Sequence, residues 1–151
     1  MVQGSASVEI NRDAATVFAA ITDVTRIGEW SPECNAARWT GGATGPAVGA
    51  KFEGDNRVAA LGITLKKWTT TSEVTACVAD EVFEFVAEGY TTWRYRLEPT
   101  STGTKVTESY EYTSAPGWQT FAYTTVMRRP AAMTRGMQRT LERIKQSVES
   151  G

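Results

Sequence analysis

Pro130-Ala131-Ala132-Met133-Thr134-Arg135-Gly136-Met137-Gln138-Arg139-Thr140-Leu141-Glu142-Arg143-Ile144-Lys145-Gln146-Ser147-Val148 is the stretch on which the fold turns. Met133, Met137, Leu141, Ile144 and Val148 recur at three- and four-residue steps, the spacing of one apolar helix face. Pro130 suits a first helical turn, where its missing N–H is not needed. A helix of this length, at roughly 1.5 Å per residue, approaches 30 Å, the width of a small domain. Gly136, Thr140 and Ser147 leave part of its inner face small-sided, and Arg135, Arg139 and Arg143 are expected on the far side. Such a helix requires a large apolar partner, which the rest of the chain has to supply.

Working outward, the preceding residues read as that partner. Ser5 to Ile10 alternates like a strand. Asn11 is positioned to cap a helix with Asp13 in its first turn and Ala14, Val17, Phe18 and Ile21 as its buried face. Asp23 can cap a second short helix carrying Val24, Ile27 and Trp30, which Ser31-Pro32 ends. Cys34 to Thr40 and Lys51 to Val58 are expected strands on either side of a glycine-rich loop, with Ala59 to Gly62 as a turn. Ile63 to Val78 is a long strand whose alternation slips near Lys66-Lys67, from Ile63 and Leu65 in one phase to Trp68, Val74, Ala76 and Val78 in the other. This is the mark of a bulge. Glu81 to Val86, Thr91 to Glu98 and Thr104 to Tyr112 complete the set.

In the last strands Phe83 and Phe85, then Trp93, Tyr95 and Leu97, then Val106, Glu108, Tyr110 and Tyr112 share one face. Glu84, Arg94, Arg96, Thr107, Ser109 and Glu111 share the other. One aromatic face and one wet face predict an antiparallel sheet covered on one side. Strand, two short helices, six strands and a terminal helix give an α+β class.

Composition narrows the chemistry mainly by exclusion. The 151 residues include 41% hydrophobic and 22% charged residues, ordinary for one globular domain. There is no histidine, so no Ser-His-Asp triad, Cys-His pair or histidine-bound zinc site can form. Cys34 and Cys77 have no metal-ligand spacing and are expected as buried thiols of a cytoplasmic protein. Neither a phosphate-binding loop nor a dinucleotide fingerprint is present, and we expect no cofactor and no metal. No stretch suits a membrane span, and the N-terminus lacks a signal-peptide core. From Trp118 onward there are six basic and two acidic residues, against ten basic and fifteen acidic before it. That asymmetry is read as a basic helix over an acidic sheet rather than a nucleic-acid surface.

Several pieces, taken in order, carry a family likeness: Val8-Glu9-Ile10 running into Ala15-Thr16-Val17-Phe18, Ile21-Thr22-Asp23, Glu29-Trp30-Ser31-Pro32, Gly49-Ala50-Lys51-Phe52, Trp93-Arg94-Tyr95, Gly103 to Ser109, and Thr140-Leu141-Glu142. Over essentially its whole length the chain resembles the START-like, or SRPBCC, superfamily, which includes birch-pollen-allergen relatives. Its nearest likeness there is to the bacterial polyketide cyclase/dehydrase and lipid transport group. The resemblance implies a helix-grip fold over residues 1–151: a seven-stranded curved antiparallel sheet wrapped round the long C-terminal helix, with two short helices after the first strand. It also implies a cavity between sheet and helix that holds apolar or aromatic small molecules.

Candidate site residues follow from both readings. Phe52, Trp68, Phe83, Phe85, Trp93, Tyr95 and Tyr110 are the aromatics expected to face the helix. Met133, Gly136 and Met137 are the flexible or small residues opposite them. Asn56, Tyr95, Tyr110 and Glu108 supply polar tips, as expected of a mostly apolar pocket with a few orienting groups. Glu108 stands out, because an inward carboxylate has to be paired, hydrogen-bonded or protonated; Arg94, Arg128 and Arg129 are its candidate partners. The resemblance implies that Trp30 borders the cavity mouth, and Phe121 and Met127 are expected to form part of a lid. Three functions remain open: a binder or carrier of a small lipid-like or polyketide-like ligand, a cyclase or aromatase using Glu108, Tyr110 or Tyr95 as acid–base groups, and a partner-binding module using the basic helix face. Oligomeric state is left open.

Overall fold

The computed structural model of the chain describes residues 2–32, 34–89, 91–112 and 129–150. Strand β1 (Val2–Ile10) leads into α1 (Ala14–Thr22), a 3-10 turn (Val24–Arg26) and α2 (Ile27–Trp30). Six strands follow: β2 (Cys34–Thr40), β3 (Lys51–Ala60), β4 (Ile63–Val78), β5 (Val82–Ala87), β6 (Thr91–Pro99) and β7 (Thr104–Tyr112). Helix α3 (Arg129–Ser150) closes the chain. The strands form one antiparallel sheet in the order β1-β7-β6-β5-β4-β3-β2, so each strand from β2 to β7 pairs with its sequence neighbour and β7 returns to β1. This is the seven-stranded α+β arrangement expected from the sequence. Among the described residues no helix is long and apolar enough to cross a membrane.

Local chemistry sets the element ends. The N-cap of α1 is Asp13, not Asn11: its carboxylate accepts from the Thr16 N–H at 3.2 Å and from the Thr16 hydroxyl at 2.7 Å. The Asn11 N–H is instead bound by Glu149 Oε2 at 2.8 Å, which ties the start of α1 to the end of α3. Asp23 caps the 3-10 turn, where its carboxylate accepts from the Thr25 N–H, whereas α2 starts from Arg26 without a side-chain cap, so the second helix expected from Val24 to Trp30 is divided in two. Gly28 sits where a Cβ would lie 2.3 Å from the Asn35 carbonyl oxygen, so only glycine lets α2 press against β2.

Strand β4 departs twice from simple alternation. Its pairing with β3 skips Leu65, beside the slip expected at Lys66-Lys67. Its pairing with β5 skips again at Thr75. The second bulge was not anticipated, and it corrects the inward set. After Thr75 the phase flips, so Cys77 packs against the core while Val78 is exposed. Cys34 and Cys77 are half-buried rather than buried.

Helix α3 lies chiefly along β1, with further contacts to β7, α1 and α2. Its Leu141, Ile144 and Val148 join Ile10, Val17, Phe18, Val24, Leu97 and Val106 in the main core. Met133 and Met137 form a separate cluster with Tyr110, flanked by Trp93 and Ala6. The opposite face of the sheet is wet, as expected: Glu84 receives Arg94 Nε at 2.7 Å and the Thr75 hydroxyl at 2.8 Å.

Candidate functional site

Because α3 follows the β1 side of the sheet, the inner faces of β3 to β6 are left partly uncovered. A cavity of about 610 Å³ occupies that space, closed on the other side by Ile21 of α1, by α2 and by α3 from Met133 to Ile144. Its aromatic wall is made by alternate residues of consecutive strands. Phe52 and Phe85 meet edge to face with centroids 5.0 Å apart, and Phe83 lies 5.7 Å from Phe85. Trp68, Trp93 and Trp30 complete that wall, with Trp30 buried at the end of α2. The Arg26 guanidinium lies 4.9 Å from the Trp30 ring, and Arg143 donates to the Trp30 carbonyl oxygen at 3.4 Å, which fixes this corner. Met133, Gly136 and Met137 line the helical side.

The polar groups behave differently from one another. Asn56 borders the cavity, but its amide donates to the Gly54 carbonyl oxygen at 3.1 Å and to Thr70 Oγ1 at 3.2 Å, so it braces β3 against β4. Glu108 lines the cavity at only 2% exposure. Its Oε1 is buried without a hydrogen-bond partner, the sole such side-chain atom found among the described residues. Arg94, one candidate partner, is committed to Glu84 on the other face of the sheet. Tyr95 stands directly opposite Glu108 across the β6–β7 pair and also lines the cavity. Burial pushes the Glu108 carboxyl up to about 8, against a hydrogen bond from Tyr95 that works the other way. Burial and the Glu108 charge hold the Tyr95 phenol well above its ordinary range. At neutral pH the pair is therefore mostly an uncharged acid beside an uncharged phenol.

Two expectations need correction. Tyr110 is 2% exposed but does not line the cavity. It stands opposite Gly4 in the β1–β7 pair, and its ring fills the place of the missing side chain, with Cε1 2.8 Å from where a Gly4 Cβ would be. It packs 5.6 Å from Trp93, behind the wall. Arg135 and Arg139 do not lie on a far side of α3; both border the cavity. Phe121, Met127 and Arg128 lie outside the described residues, and nothing is described of the Arg129 side chain.

Sequence reasoning missed Ile21, Ile27, Pro32, Thr70, Ser72, Thr91 and Arg57 in the lining. Thr70 and Ser72 occupy the phase between Trp68 and Val74, and Thr91 precedes Trp93 by two residues, so alternation alone would have found them. Nothing in the local pattern marks Pro32. It reaches α3, where its Cγ lies 3.5 Å from the Cβ position of Gly136.

The family model for polyketide cyclase / dehydrase and lipid transport proteins matches residues 1–149. No curated protein gives a significant match. Among solved structures, a Polyketide_cyc-like protein of Corynebacterium glutamicum is 33% identical, with 97% of this chain and 91% of that one covered and a TM-score of 0.65. An AHSA1-like protein of Aeromonas hydrophila is 21% identical, with 99% and 93% covered and a TM-score of 0.67. Protein NE0264 of Nitrosomonas europaea, at 13% identity, matches the fold alone over 99% and 95% with a TM-score of 0.73. The order of strands and helices, the cavity between sheet and C-terminal helix, and the match along almost the entire sequence lead to one conclusion: the chain belongs to the polyketide cyclase/dehydrase and lipid transport family of the SRPBCC superfamily, a ligand-binding fold.

Proposed function

We propose that this protein binds or carries a small hydrophobic or aromatic ligand, lipid-like or polyketide-like, in the cavity between its sheet and α3. The observation that carries the reading is the cavity itself, about 610 Å³ walled by Phe52, Phe83, Phe85, Trp68 and Trp93 and holding two uncharged polar groups in its depth. That volume lies within the range of small-molecule sites, and so does the proportion of apolar wall to orienting groups. Transfer of roughly 200–300 Å² of ligand surface out of water at about 25 cal/mol per Å² supplies several kcal/mol before the costs of association.

Gly136 gives the test. A leucine there favours helix, and its Cβ would meet Pro32 at ordinary contact distance, so the side chain should occlude the mouth without unfolding the chain. Fluorescence titration with aromatic polycycles and fatty alcohols should give micromolar binding to the wild type and none to folded Gly136→Leu. Equal binding by both would place the ligand elsewhere.

A second reading, a cyclase or aromatase, is favoured by the Tyr95–Glu108 pair, since a buried carboxylic acid with a raised pKa beside a phenol can move protons near neutral pH. Turnover of a poly-β-keto substrate that is lost in both Glu108→Gln and Tyr95→Phe would promote this reading over simple carriage.

A further inference from the structure

The cavity carries polar groups at two depths. Arg135 and Arg139 on α3 border it and are both exposed, so they sit on its solvent side; Arg57 also borders it, but it belongs to the phase of β3 shared with Glu53 and Asp55, opposite to Phe52 and Asn56. None of the three forms an ion pair with another described residue. Glu88 is the exposed carboxylate of the same lining, and its Oε1 is engaged by the Thr71 N–H at 2.8 Å. Two arginines against one carboxylate that already accepts a backbone N–H make the opening electropositive. At the other extreme lies Glu108, 2% exposed, with Oε1 unpartnered and Tyr95 across from it.

This arrangement sorts ligands by charge and by where the charge sits. A cationic group is repelled at the opening, and would have to shed its water to reach Glu108. A pure hydrocarbon fills the aromatic wall but leaves Glu108 Oε1 unsatisfied, which is costly. An anion can stay hydrated at the rim against arginine forks suited to carboxylate or phosphate oxygens. An uncharged oxygen function placed deep can exchange hydrogen bonds with an acid and a phenol, each able to donate and to accept.

Resting on the reading of the cavity as a ligand site, we infer that its ligand is a two-ended amphiphile. An anionic head, carboxylate or phosphate, stays at the mouth against Arg135 and Arg139. A neutral hydroxyl or carbonyl at the far end meets Glu108 and Tyr95.

Isothermal titration calorimetry with four twelve-carbon probes tests this: dodecanol, dodecanoate, dodecyl phosphate and 12-hydroxydodecanoate. On wild type, the two simple anions should bind roughly tenfold tighter than dodecanol, the order that a few exposed ion pairs supply, and the advantage should shrink as salt is raised. In the double variant Arg135→Ala/Arg139→Ala that advantage over dodecanol, measured on the same variant, should fall to about twofold. Whichever anion binds tighter identifies the head group, and either one above dodecanol supports the inference. At the deep end, 12-hydroxydodecanoate should match or exceed dodecanoate on wild type and fall roughly tenfold below it in Glu108→Leu, where the hydroxyl loses its partner. If dodecanol binds and the anions bind no better, or if their advantage survives in the arginine variant, the two-ended ligand is overturned while the hydrophobic cavity stands. If none of the four binds, both are overturned.

Discussion

The two halves of α3 share one stripe and one spacing, yet they do opposite work. From Leu141 to Val148 the helix presents aliphatic side chains to the main core, where Leu141 and Val106 are both fully buried. From Met133 to Thr140 it presents two buried methionines packed on Tyr110, a glycine and two arginines along the border of the cavity, which Ile144 also reaches. Periodicity places a side chain on a face, but the size and stiffness of that side chain decide whether the face is filled. Leucine and isoleucine interlock with a sheet, whereas methionine bends and glycine withdraws. The same helix therefore stabilises the fold at one end and bounds a cavity at the other.

The largest effect should come from attacking the filled half. Leu141→Ala should cost about 2–5 kcal/mol in denaturant unfolding, through lost contacts and a new void. Met137→Ala should cost less, because Met137, though buried, packs in the small cluster with Tyr110 and Met133 and borders the cavity. Equal losses would erase the distinction between the halves.

A second test uses pH on the cavity side. Glu108 has a folded-state pKa raised above its ordinary value of 4.5 to about 8, so the native state holds this proton more tightly than the unfolded chain. Its contribution is fully present below about pH 4.5 and is lost as pH rises towards 8. Thermal melts between pH 5 and pH 9 should show wild type losing stability relative to Glu108→Gln, which has no such proton to lose. Parallel profiles would mean that the carboxyl is hydrated in the native state.

Smaller shifts sharpen the contrast. Gly136→Leu should leave stability within about 1 kcal/mol of wild type, since the gain in helix propensity offsets contact with Pro32. A larger loss would show that the opening is as tightly packed as the core. Arg139→Ala, at an exposed rim position, should change chemical stability by less than about 0.5 kcal/mol. Any measurable effect there should appear only when an anionic ligand is present.

Much of the architecture was legible because it rests on local pattern. The limits of β2, β4 and β7 follow directly from alternation and from glycine-marked turns. The bulge at Leu65 announces itself as a break in phase. The one at Thr75 does not, because Ala76 and Val78 look as inward-facing as Cys77, and only pairing with β5 decides between them. The aromatic wall was readable for the same reason that the strands were. Tyr110 was not, since its removal from the cavity depends on Gly4, more than a hundred residues away in sequence, leaving room for its ring. Arg135 and Arg139 were assigned to solvent because a helical wheel separates apolar from charged faces. It cannot say that the partner surface stops short and turns the boundary into a rim.

The length of β4 has a geometric consequence of its own. Its 16 residues, drawn straight at about 3.3 Å each, would run to roughly 53 Å, while the 22 residues of α3 at about 1.5 Å each reach only about 33 Å. A straight strand of that length would overhang the rod it faces. The two skipped residues bend β4 instead, so the wall curls. A concave wall and a straight rod touch along a line and part on either side of it. Hollowness here is a matter of mismatched curvature as well as of the side of the sheet on which the helix lies.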